Sequence, residues 1–253
     1  MKNGRPNNPI ILIPARLAAR RLPGKPLADI GGVPMIVHVW RRAVAAELGP
    51  VVVACGDREI AAAVMAAGGQ AVLTDPLLPT GSDRIYAALA DLDPGRAYDA
   101  AINVQGDMPF LDPAAIRQVV EGLSEPDIDI ATLAAPILDP AALADDSVNK
   151  VVAGFADPSR PARALYFSKA AVPWGTGPHY EHVGIYAYRR AALERFVALP
   201  QGVLERRERL EQLRALEAGM RFSVGLIDAS RLGIQVDTPT DLARARELVK
   251  TML

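Results

Sequence analysis

Short apolar runs alternate with longer amphipathic segments in the first half of the chain, and this alternation most narrows the folds available to it. The segments 35–48, 57–68 and 83–92 have the periodicity of amphipathic helices. The apolar runs that predict strands are 10–13, 51–54, 71–74 and 100–104. Strands and helices that alternate at this spacing predict an α/β fold with a mostly parallel sheet covered by helices.

The pattern changes from about residue 128, where apolar runs come closer together. This half predicts an inserted antiparallel subdomain over approximately 128–220. Its predicted strands and the strand after it are 130–137, 150–155, 182–188 and 222–227. A charged segment, 205–220, predicts one long helix. The apolar stripe of that helix would be Leu204, Leu210, Leu213 and Leu216. No stretch is polar enough to separate independent domains, so we expect one domain over 1–253.

Two helix starts are clearly signalled. Asp112 followed by Pro113 predicts a helix that begins with a side-chain cap and a proline in its first turn. Thr238 followed by Pro239, with Asp241 three residues beyond the threonine, predicts a capping box at the start of the last helix.

The charge of the chain limits its partners. The formal net charge is −1, which argues against a surface for nucleic acid or membranes. Residues 1–50 nevertheless carry eight Lys and Arg against two acidic residues, which predicts an anionic small ligand near the N-terminus. The single cysteine, Cys55, excludes an intrachain disulfide. No apolar stretch approaches the roughly 20 residues of a membrane span, and we expect a soluble, cytoplasmic protein.

Four of these eight cations fall in one segment, Ile13–Lys25 (IPARLAARRLPGK), directly after the first predicted strand. Open α/β sheets bind ligands at the carboxyl ends of strands, and cationic side chains with free loop amides suit a polyphosphate. A P-loop does not fit, because Pro26 follows Lys25, offers no hydroxyl for magnesium and removes an amide. A solvated basic loop without a ligand is the alternative interpretation.

Several motifs support the interpretation of this segment as a polyphosphate-binding loop. The loop and the following DIGGVPMIVHVWRRA closely resemble the N-terminal signature of sugar nucleotidyltransferases. NVQGD, ALYFSKAAVPW, HVGIYAYR and LEQLRAL narrow the resemblance to 3-deoxy-manno-octulosonate (Kdo) cytidylyltransferases. GSDRI, NKVV and VDTPTDL extend it over nearly the whole chain.

The resemblance implies a nucleotide-diphospho-sugar-transferase-like (Rossmann-like) three-layer sandwich with a mostly parallel central sheet. The insertion at about 128–220 would bind the sugar and form a homodimer. The implied activity is transfer of CMP from CTP to Kdo with release of pyrophosphate, for lipopolysaccharide biosynthesis. Such a transfer needs neutralisation of a triphosphate, a divalent metal and correct placement of the sugar hydroxyl.

The resemblance assigns Arg16, Arg21 and Lys25 to the β- and γ-phosphates, where they would stabilise the leaving pyrophosphate. Arg20 stands where relatives carry a small hydroxyl residue. It is either an additional phosphate contact or a solvated charge, and we favour the solvated charge.

Asp107 and Asp237 are implied to bind Mg²⁺ together, although they lie 130 residues apart. With Arg16 and Lys25 they form the implied catalytic set. Taken alone, Asp237 could be a second capping residue and Asp107 an ordinary turn carboxylate. The acidic residue that usually follows QGD in the family is replaced by Met108.

Recognition of the cytosine is expected from Gln105, Ser82 and Arg84, since the amide of a glutamine offers both a donor and an acceptor. The alternatives are that Ser82 caps the helix at 83–92, and that Asp83 and Arg84 form a surface ion pair of little energetic value.

The implied sugar-binding residues are Lys169, His182, Tyr186, Glu211 and Gln212. Lys169 stands where arginine is usual, which keeps the charge but loses the bidentate fork. The alternatives are a plain strand histidine at 182 and a solvated helix face at 211–212. The segment 175–181 is shorter than in many relatives and borders the region of the implied dimer contact.

Lys169 and this short segment leave room for another acidic sugar, such as 8-amino-Kdo or a sialic-acid-like sugar. A non-catalytic nucleotide-binding homologue is the alternative from a different class. The presence of both metal carboxylates, Asp107 and Asp237, argues against it.

Overall fold

The computed structural model describes residues 4–18 and 21–252. These residues form two compact units. We call residues 8–117 and 231–252 the parallel-sheet unit, and residues 4–7 and 118–230 the mixed-sheet unit. The predicted insertion at 128–220 lies within the mixed-sheet unit. In the described ranges, no helix is both long and apolar enough to cross a membrane.

The strands are β1 (Pro9–Ala15), β2 (Asp29–Ile30), β3 (Val33–Pro34), β4 (Val51–Cys55), β5 (Gln70–Leu73), β6 (Ala100–Asn103), β7 (Ile130–Pro136), β8 (Lys150–Ala153), β9 (Ala162–Ser168), β10 (Tyr180–Arg189) and β11 (Phe222–Leu226). The helices are α1 (Met35–Val44), α2 (Arg58–Ala66), α3 (Gly81–Leu92), α4 (Pro113–Glu121), α5 (Pro140–Ala144), α6 (Arg190–Ala198), α7 (Val203–Glu208), α8 (Leu213–Glu217) and α9 (Pro239–Met252). Each strand predicted from an apolar run is confirmed, whereas β9 and the two short strands β2 and β3 were not predicted.

The parallel-sheet unit contains strands in the order β5-β4-β1-β6, and every neighbouring pair is parallel. The predicted parallel sheet is therefore confirmed here. β4 is buried along its whole length, as expected for a parallel strand with both faces covered. β2 and β3 form an antiparallel hairpin after the basic loop.

Both predicted helix starts are confirmed. Asp112 accepts a hydrogen bond from the amide of Ala114 at 2.8 Å, ahead of α4. At α9, Thr238 Oγ1 accepts from the amide of Asp241 at 3.2 Å, and Asp241 Oδ2 accepts from the amide of Thr238 at 2.9 Å. This reciprocal pair is a capping box. It fixes the chain immediately after Asp237.

Ser82 does not cap α3, so that alternative was wrong. The N-cap is Thr80, whose Oγ1 accepts from the amide of Asp83 at 3.1 Å. The same hydroxyl donates to Asp83 Oδ2 at 2.8 Å. Asp83 therefore pairs with the cap of its own helix, and Ser82 is a buried residue of the first turn.

The mixed-sheet unit contains strands in the order β10-β7-β11-β9-β8. β7 and β11 are parallel, and the other neighbouring pairs are antiparallel. β8 also pairs with β10 through Lys150 and Glu181. The predicted antiparallel character is confirmed for most of these pairings, and the parallel β7–β11 pair is the difference.

The predicted long helix at 205–220 was wrong. α7 ends at Glu208, because the next residue, Arg209, has the left-handed backbone conformation with φ of 58°, and α8 begins only at Leu213. Arg214 forms a buried, two-point ion pair with Glu205, at 2.8 and 2.5 Å. Residues nine apart lie on opposite faces of a continuous helix, so this pair requires the break. The turn also buries Leu210 and Gln212.

Candidate active site

The carboxyl ends of β1 and β6 lie side by side, because the two strands are neighbours in the parallel sheet. Arg16 directly follows β1, and Gln105, Gly106 and Asp107 come shortly after β6. A Cβ at position 106 would lie 2.8 Å from the carbonyl oxygen of Pro14, so only glycine permits this approach. The fold thus brings a cation and a carboxylate to one edge of the sheet.

A cavity of about 470 Å³ lies at this edge. Its lining includes Arg16, Arg21, Lys25, Gln105, Asp107 and Asp237. Residues that are far apart in the sequence, including Asp237 just before α9, therefore line one cavity. Arg20 lies outside the described residues. Met108, at the position after Asp107, is uncharged and buried.

Lys25 bridges the two candidate metal ligands. Its Nζ donates to Asp107 Oδ2 at 2.9 Å and to Asp237 Oδ1 at 3.0 Å. Arg21 pairs with the other oxygen of Asp237 at 3.1 Å. Burial alone lowers the pKa of Lys25, but the charges and hydrogen bonds of Asp107 and Asp237 outweigh it and raise that pKa above its ordinary value. The ammonium group of Lys25 is therefore shared between both carboxylates, and Arg21 adds a second positive charge at Asp237.

One carboxylate oxygen at this site has no partner. Among the described residues, Asp107 Oδ1 is buried and accepts no hydrogen bond. A buried, unpaired carboxylate oxygen is costly unless a ligand completes it. No group of three or more His, Cys, Asp and Glu residues in the described part of the chain could hold a metal ion. Asp107 and Asp237 thus offer two carboxylates, and a metal ion bound to them would need further ligands beyond the acidic, histidine and cysteine side chains of the described residues.

In the described part of the chain, Lys25, Arg21 and Gln235 bond the carboxylate of Asp237 and no amide of α9 donates to it, so the capping alternative was wrong. Asp241 Oδ2 accepts from the amide of Asp237 at 3.2 Å, and Gln235 donates to Asp237 Oδ2 at 3.3 Å. Burial raises the pKa of Asp241, but hydrogen bonds from Thr238 and from two backbone amides outweigh it and lower that pKa. Asp241 is therefore a charged anchor for the turn that carries Asp237.

A smaller cavity of about 110 Å³ lies beside Arg16. The described residues that line it include Arg84 and Gln105 but not Ser82. Arg84 is 2% exposed and donates to Thr74 Oγ1 at 2.5 Å and to the carbonyl of Asp75 at 3.2 Å. The alternative of a surface Asp83–Arg84 pair was therefore wrong, because Arg84 is buried and shapes the loop after β5.

In the mixed-sheet unit, His182 lies on β10 and is 7% exposed. Its Nε2 lies 3.0 Å from Thr132 Oγ1 on β7, and its ring meets Phe167 edge to face, with centroids 4.9 Å apart. Burial lowers the pKa of His182 to about 3, so the imidazole is neutral at physiological pH. Burial also raises the pKa of Tyr186 above its ordinary value, which keeps the phenol protonated as a donor.

Lys169 follows the end of β9, and both its backbone amide and its backbone carbonyl form hydrogen bonds with charged side chains. Glu208 accepts a hydrogen bond from the amide of Lys169 at 3.1 Å and from Ser168 Oγ at 3.0 Å. The fully buried Lys150 donates to the carbonyl of Lys169 at 3.0 Å. Two charged side chains therefore fix the strand end from which the Lys169 side chain departs.

Glu211 and Gln212 lie in the turn between α7 and α8. Gln212 is buried and Glu211 is half-buried, so a solvated helix face was the wrong interpretation. Arg214 Nη2 lies 3.9 Å from Glu211 Oε1 and also forms the buried pair with Glu205. The ion pair thus supports the turn that carries both candidate residues.

Sequence reasoning missed three side chains that hold these residues in place: Thr132, Lys150 and Glu208. Thr132 and Lys150 carried a signal, because Thr132 is a polar residue within an apolar run and Lys150 begins another. Glu208 carried none, since it lies within a segment rich in charged residues.

Comparison with known proteins agrees with this geometry. The cytidylyltransferase family profile matches residues 10–222. A 3-deoxy-manno-octulosonate cytidylyltransferase of Paramagnetospirillum magneticum is 60% identical over 96% of this chain and 98% of its own length. That of Rhodospirillum centenum is 59% identical over 96% of this chain and 94% of its own length.

A solved structure of CMP:2-keto-3-deoxy-manno-octonic acid synthetase complexed with CTP has a TM-score of 0.88 and is 37% identical. The alignment covers 98% of this chain and 100% of that chain. Such similarity over the full length confirms the predicted α/β nucleotidyltransferase fold. Together, the family profile, the relatives and the solved structure show that this chain belongs to the 3-deoxy-manno-octulosonate cytidylyltransferase family.

Proposed function

We propose that the protein transfers CMP from CTP to Kdo, giving CMP-Kdo and pyrophosphate for lipopolysaccharide biosynthesis. The observation that carries the proposal is the single cavity lined by Arg16, Arg21, Lys25, Asp107 and Asp237. It offers cations for a triphosphate beside two carboxylates for a metal. Relatives that are 57–60% identical over nearly the whole chain are named for this reaction.

The three cations would bind the β- and γ-phosphates and stabilise the charge that develops on the leaving pyrophosphate. The side chain of Arg21 is 64% exposed, and Arg16 is also exposed, so both can reach a ligand at little cost in desolvation. Lys25 would exchange its carboxylate partners for phosphate oxygens. Gln105, next to the smaller cavity, would read the cytosine edge with its amide, and Arg84 would hold the neighbouring loop.

Asp107 and Asp237 fit Mg²⁺, since carboxylate oxygens are its preferred protein ligands and Asp107 Oδ1 is buried without a partner among the described residues. When bound, the ion would neutralise phosphate charge and orient the triphosphate. Two carboxylates leave coordination positions open, as expected for a magnesium site completed by substrate phosphates and water.

For the sugar, Lys169 would pair with the carboxylate of Kdo. Neutral His182 and protonated Tyr186 would exchange hydrogen bonds with its hydroxyls, with Glu211 and Gln212 as further contacts. The desolvated surroundings of His182 make each such hydrogen bond more discriminating than one made in water.

A homodimer and a cytoplasmic location belong to the same proposal. Exposed apolar side chains in the mixed-sheet unit support the homodimer, since Trp174 is 99%, Leu138 83% and Leu165 62% exposed. Light scattering of wild type and Trp174→Ser checks it, and a monomeric wild type would contradict it. The cytoplasmic location follows from the proposed use of CTP.

The test is pyrophosphate release with CTP, Mg²⁺ and Kdo, beside reactions with 8-amino-Kdo and sialic acid. Release with Kdo alone is expected. Release only with another acid would keep the chemistry and change the substrate. If CTP binds but no sugar supports release, the protein is a non-catalytic homologue. Asp237→Ala, assayed for Mg²⁺-dependent CTP binding and turnover, is the control for the metal assignment.

A further inference from the structure

A fully buried hydroxyl lies in the middle of an apolar strand. Thr132 is 0% exposed, and the other residues of β7 are Ile, Ala, Leu and Pro. A hydroxyl removed from water must be hydrogen-bonded to be tolerated. Thr132 Oγ1 meets this need with three partners on β10: His182 Nε2 at 3.0 Å, the carbonyl of Ile185 at 2.7 Å and the carbonyl of Val183 at 3.2 Å.

These partners surround a bulge in β10. Val183 pairs with Leu133, but the next pair along β7 joins Thr132 to Tyr186, so β10 contains two additional residues. A bulge interrupts the backbone ladder and leaves backbone groups that need other partners. The Thr132 hydroxyl lies within hydrogen-bond distance of two carbonyl groups of the bulge, Val183 and Ile185.

The bulge brings two candidate sugar ligands together. Residues four apart on a regular strand are about 13 Å from one another. Here the rings of His182 and Tyr186 have centroids only 5.4 Å apart. A regular β10 would separate these side chains, so the irregularity itself creates the pair.

The same hydroxyl also determines which ring nitrogen of His182 carries the proton. A threonine has one proton to donate, and the carbonyl of Ile185 is its nearest acceptor. Toward His182, Thr132 Oγ1 is therefore the acceptor, which requires the proton of the neutral imidazole to be on Nε2. Nδ1 is then the acceptor atom of the ring.

We propose that Thr132 is a positioning residue of the sugar site: its hydroxyl holds the β10 bulge that pairs His182 with Tyr186 and fixes His182 as the Nε2-protonated tautomer, so that Nδ1 accepts a hydrogen bond from a sugar hydroxyl. The identity of the ligand rests on the proposed function, but the tautomer and the bulge do not.

The first test compares Thr132→Val, which keeps the shape and removes the hydroxyl, with Thr132→Ser, which keeps the hydroxyl. For Thr132→Val we expect KM for Kdo to rise about 10-fold, because misplaced binding groups weaken substrate positioning, while KM for CTP stays within about 2-fold. Thr132→Ser should retain a KM for Kdo near that of wild type. Ser223→Ala is the matched control, since Ser223 is a buried hydroxyl residue on the adjacent β11. Equal rises of both KM values, or no rise, would overturn the role in substrate positioning.

The second test measures the tautomer directly, without any substrate. The chain has three histidines, His38, His179 and His182. In ¹⁵N-histidine NMR spectra, the signals of His182 are assigned by their absence in His182→Asn. We expect Nε2 protonation in wild type and in Thr132→Ser, and a shift toward Nδ1 protonation in Thr132→Val.

A wild-type His182 protonated at Nδ1 would overturn the proposal even if Thr132→Val failed to fold. If wild type released no pyrophosphate with Kdo but showed the expected tautomer and its shift, the proposed function would fail and the structural role of Thr132 would stand.

Discussion

The two groups of candidate residues are stabilised in opposite ways. In the parallel-sheet unit, Lys25, Asp107 and Asp237 are charged, partly exposed and carried by loops at strand ends, with side chains 16%, 18% and 25% exposed. In the mixed-sheet unit, His182 is uncharged and buried in the middle of a strand, and its partner Thr132 is inaccessible to water. The first group balances charges against one another, and the second satisfies hydrogen bonds within the core.

Because of this difference, we expect substitutions in the two groups to affect activity and stability to different extents. Ion pairs at a partly exposed site contribute little to folding and can exchange partners when an anionic ligand arrives. Polar groups inside a core cannot be removed without leaving a buried partner unsatisfied. Substitutions at the charged site should therefore reduce activity with little loss of stability, and substitutions among the buried polar groups should reduce both.

The largest loss of stability is expected where an ion pair is buried. Arg214 and Glu205 are each 7% exposed, and Arg214→Met leaves the Glu205 carboxylate buried without its cation. We expect the free energy of unfolding to fall by about 3–5 kcal/mol, measured by urea titration. In the matched control Arg221→Met, which breaks the exposed pair with Asp127, the loss should stay below about 1 kcal/mol. Similar values for the two variants would remove the distinction between buried and exposed pairs.

Asp237→Asn should have the opposite effect, with a large loss of activity and a small loss of stability. The amide keeps the shape of the side chain but loses the charge that pairs with Lys25 and Arg21. We expect kcat for pyrophosphate release to fall about 10²–10³-fold, the usual cost of removing one group that stabilises transition-state charge. The free energy of unfolding should change by less than about 1 kcal/mol. Asp29→Asn, an exposed acid of the same unit, is the control. A destabilised protein with unchanged kcat would make Asp237 a structural residue.

The buried histidine predicts a pH dependence of stability. The folded pKa of His182 is about 3, below the ordinary 6.5, so the unfolded chain binds a proton that the folded chain does not. This contribution to stability is fully present above pH 6.5 and is lost as the pH falls toward 3. Between pH 7 and pH 4.5, wild type should lose about 2–3 kcal/mol of unfolding free energy through this group.

His182→Asn isolates that contribution, because the asparagine side chain does not titrate. Urea titrations at both pH values should show a smaller loss for the variant than for wild type, whatever the stability of the variant at neutral pH. His179→Asn, which replaces a histidine that is only half-buried, should behave as wild type does. Parallel pH profiles for wild type and His182→Asn would mean that position 182 is not a buried neutral group.

The sequence predicted the elements that depend on local pattern. β1 and β4 are apolar runs that are buried in the sheet. The cap of α9 follows from the residue types of Thr238 and Asp241 and their spacing. β9 escaped prediction because exposed and buried residues mix along it. The break in the predicted helix after Glu208 could not be predicted from the sequence either. The buried ion pair between Glu205 and Arg214 requires the break, although the local sequence has a helical pattern.

The candidate sites also combine features that the sequence indicates with features that only the fold shows. Lys25, Asp107 and Asp237 could be selected from motifs, but their meeting depends on which strands are neighbours and on the glycine at 106. The pairing of His182 with Tyr186 depends on a bulge, which no periodicity indicates. Candidate residues could therefore be selected from the sequence, whereas the groups that hold them in place were found only in three dimensions.

The smallest expected effect concerns Lys25, whose ammonium group pairs with both carboxylates that are proposed to bind Mg²⁺. Without a metal, Lys25→Met should lower the free energy of unfolding by about 1–2 kcal/mol, because two neighbouring carboxylates lose their shared cation. Saturating Mg²⁺ should recover most of that loss, so the rise in melting temperature on adding Mg²⁺ should be larger for Lys25→Met than for wild type. Arg41→Met, which removes an exposed cation of α1, should respond to Mg²⁺ as wild type does. An equal response in Lys25→Met and wild type would show that the ammonium group does not compete with the metal. The partly exposed carboxylates would then need no exchange of partners, and the contrast between the two units would be weaker.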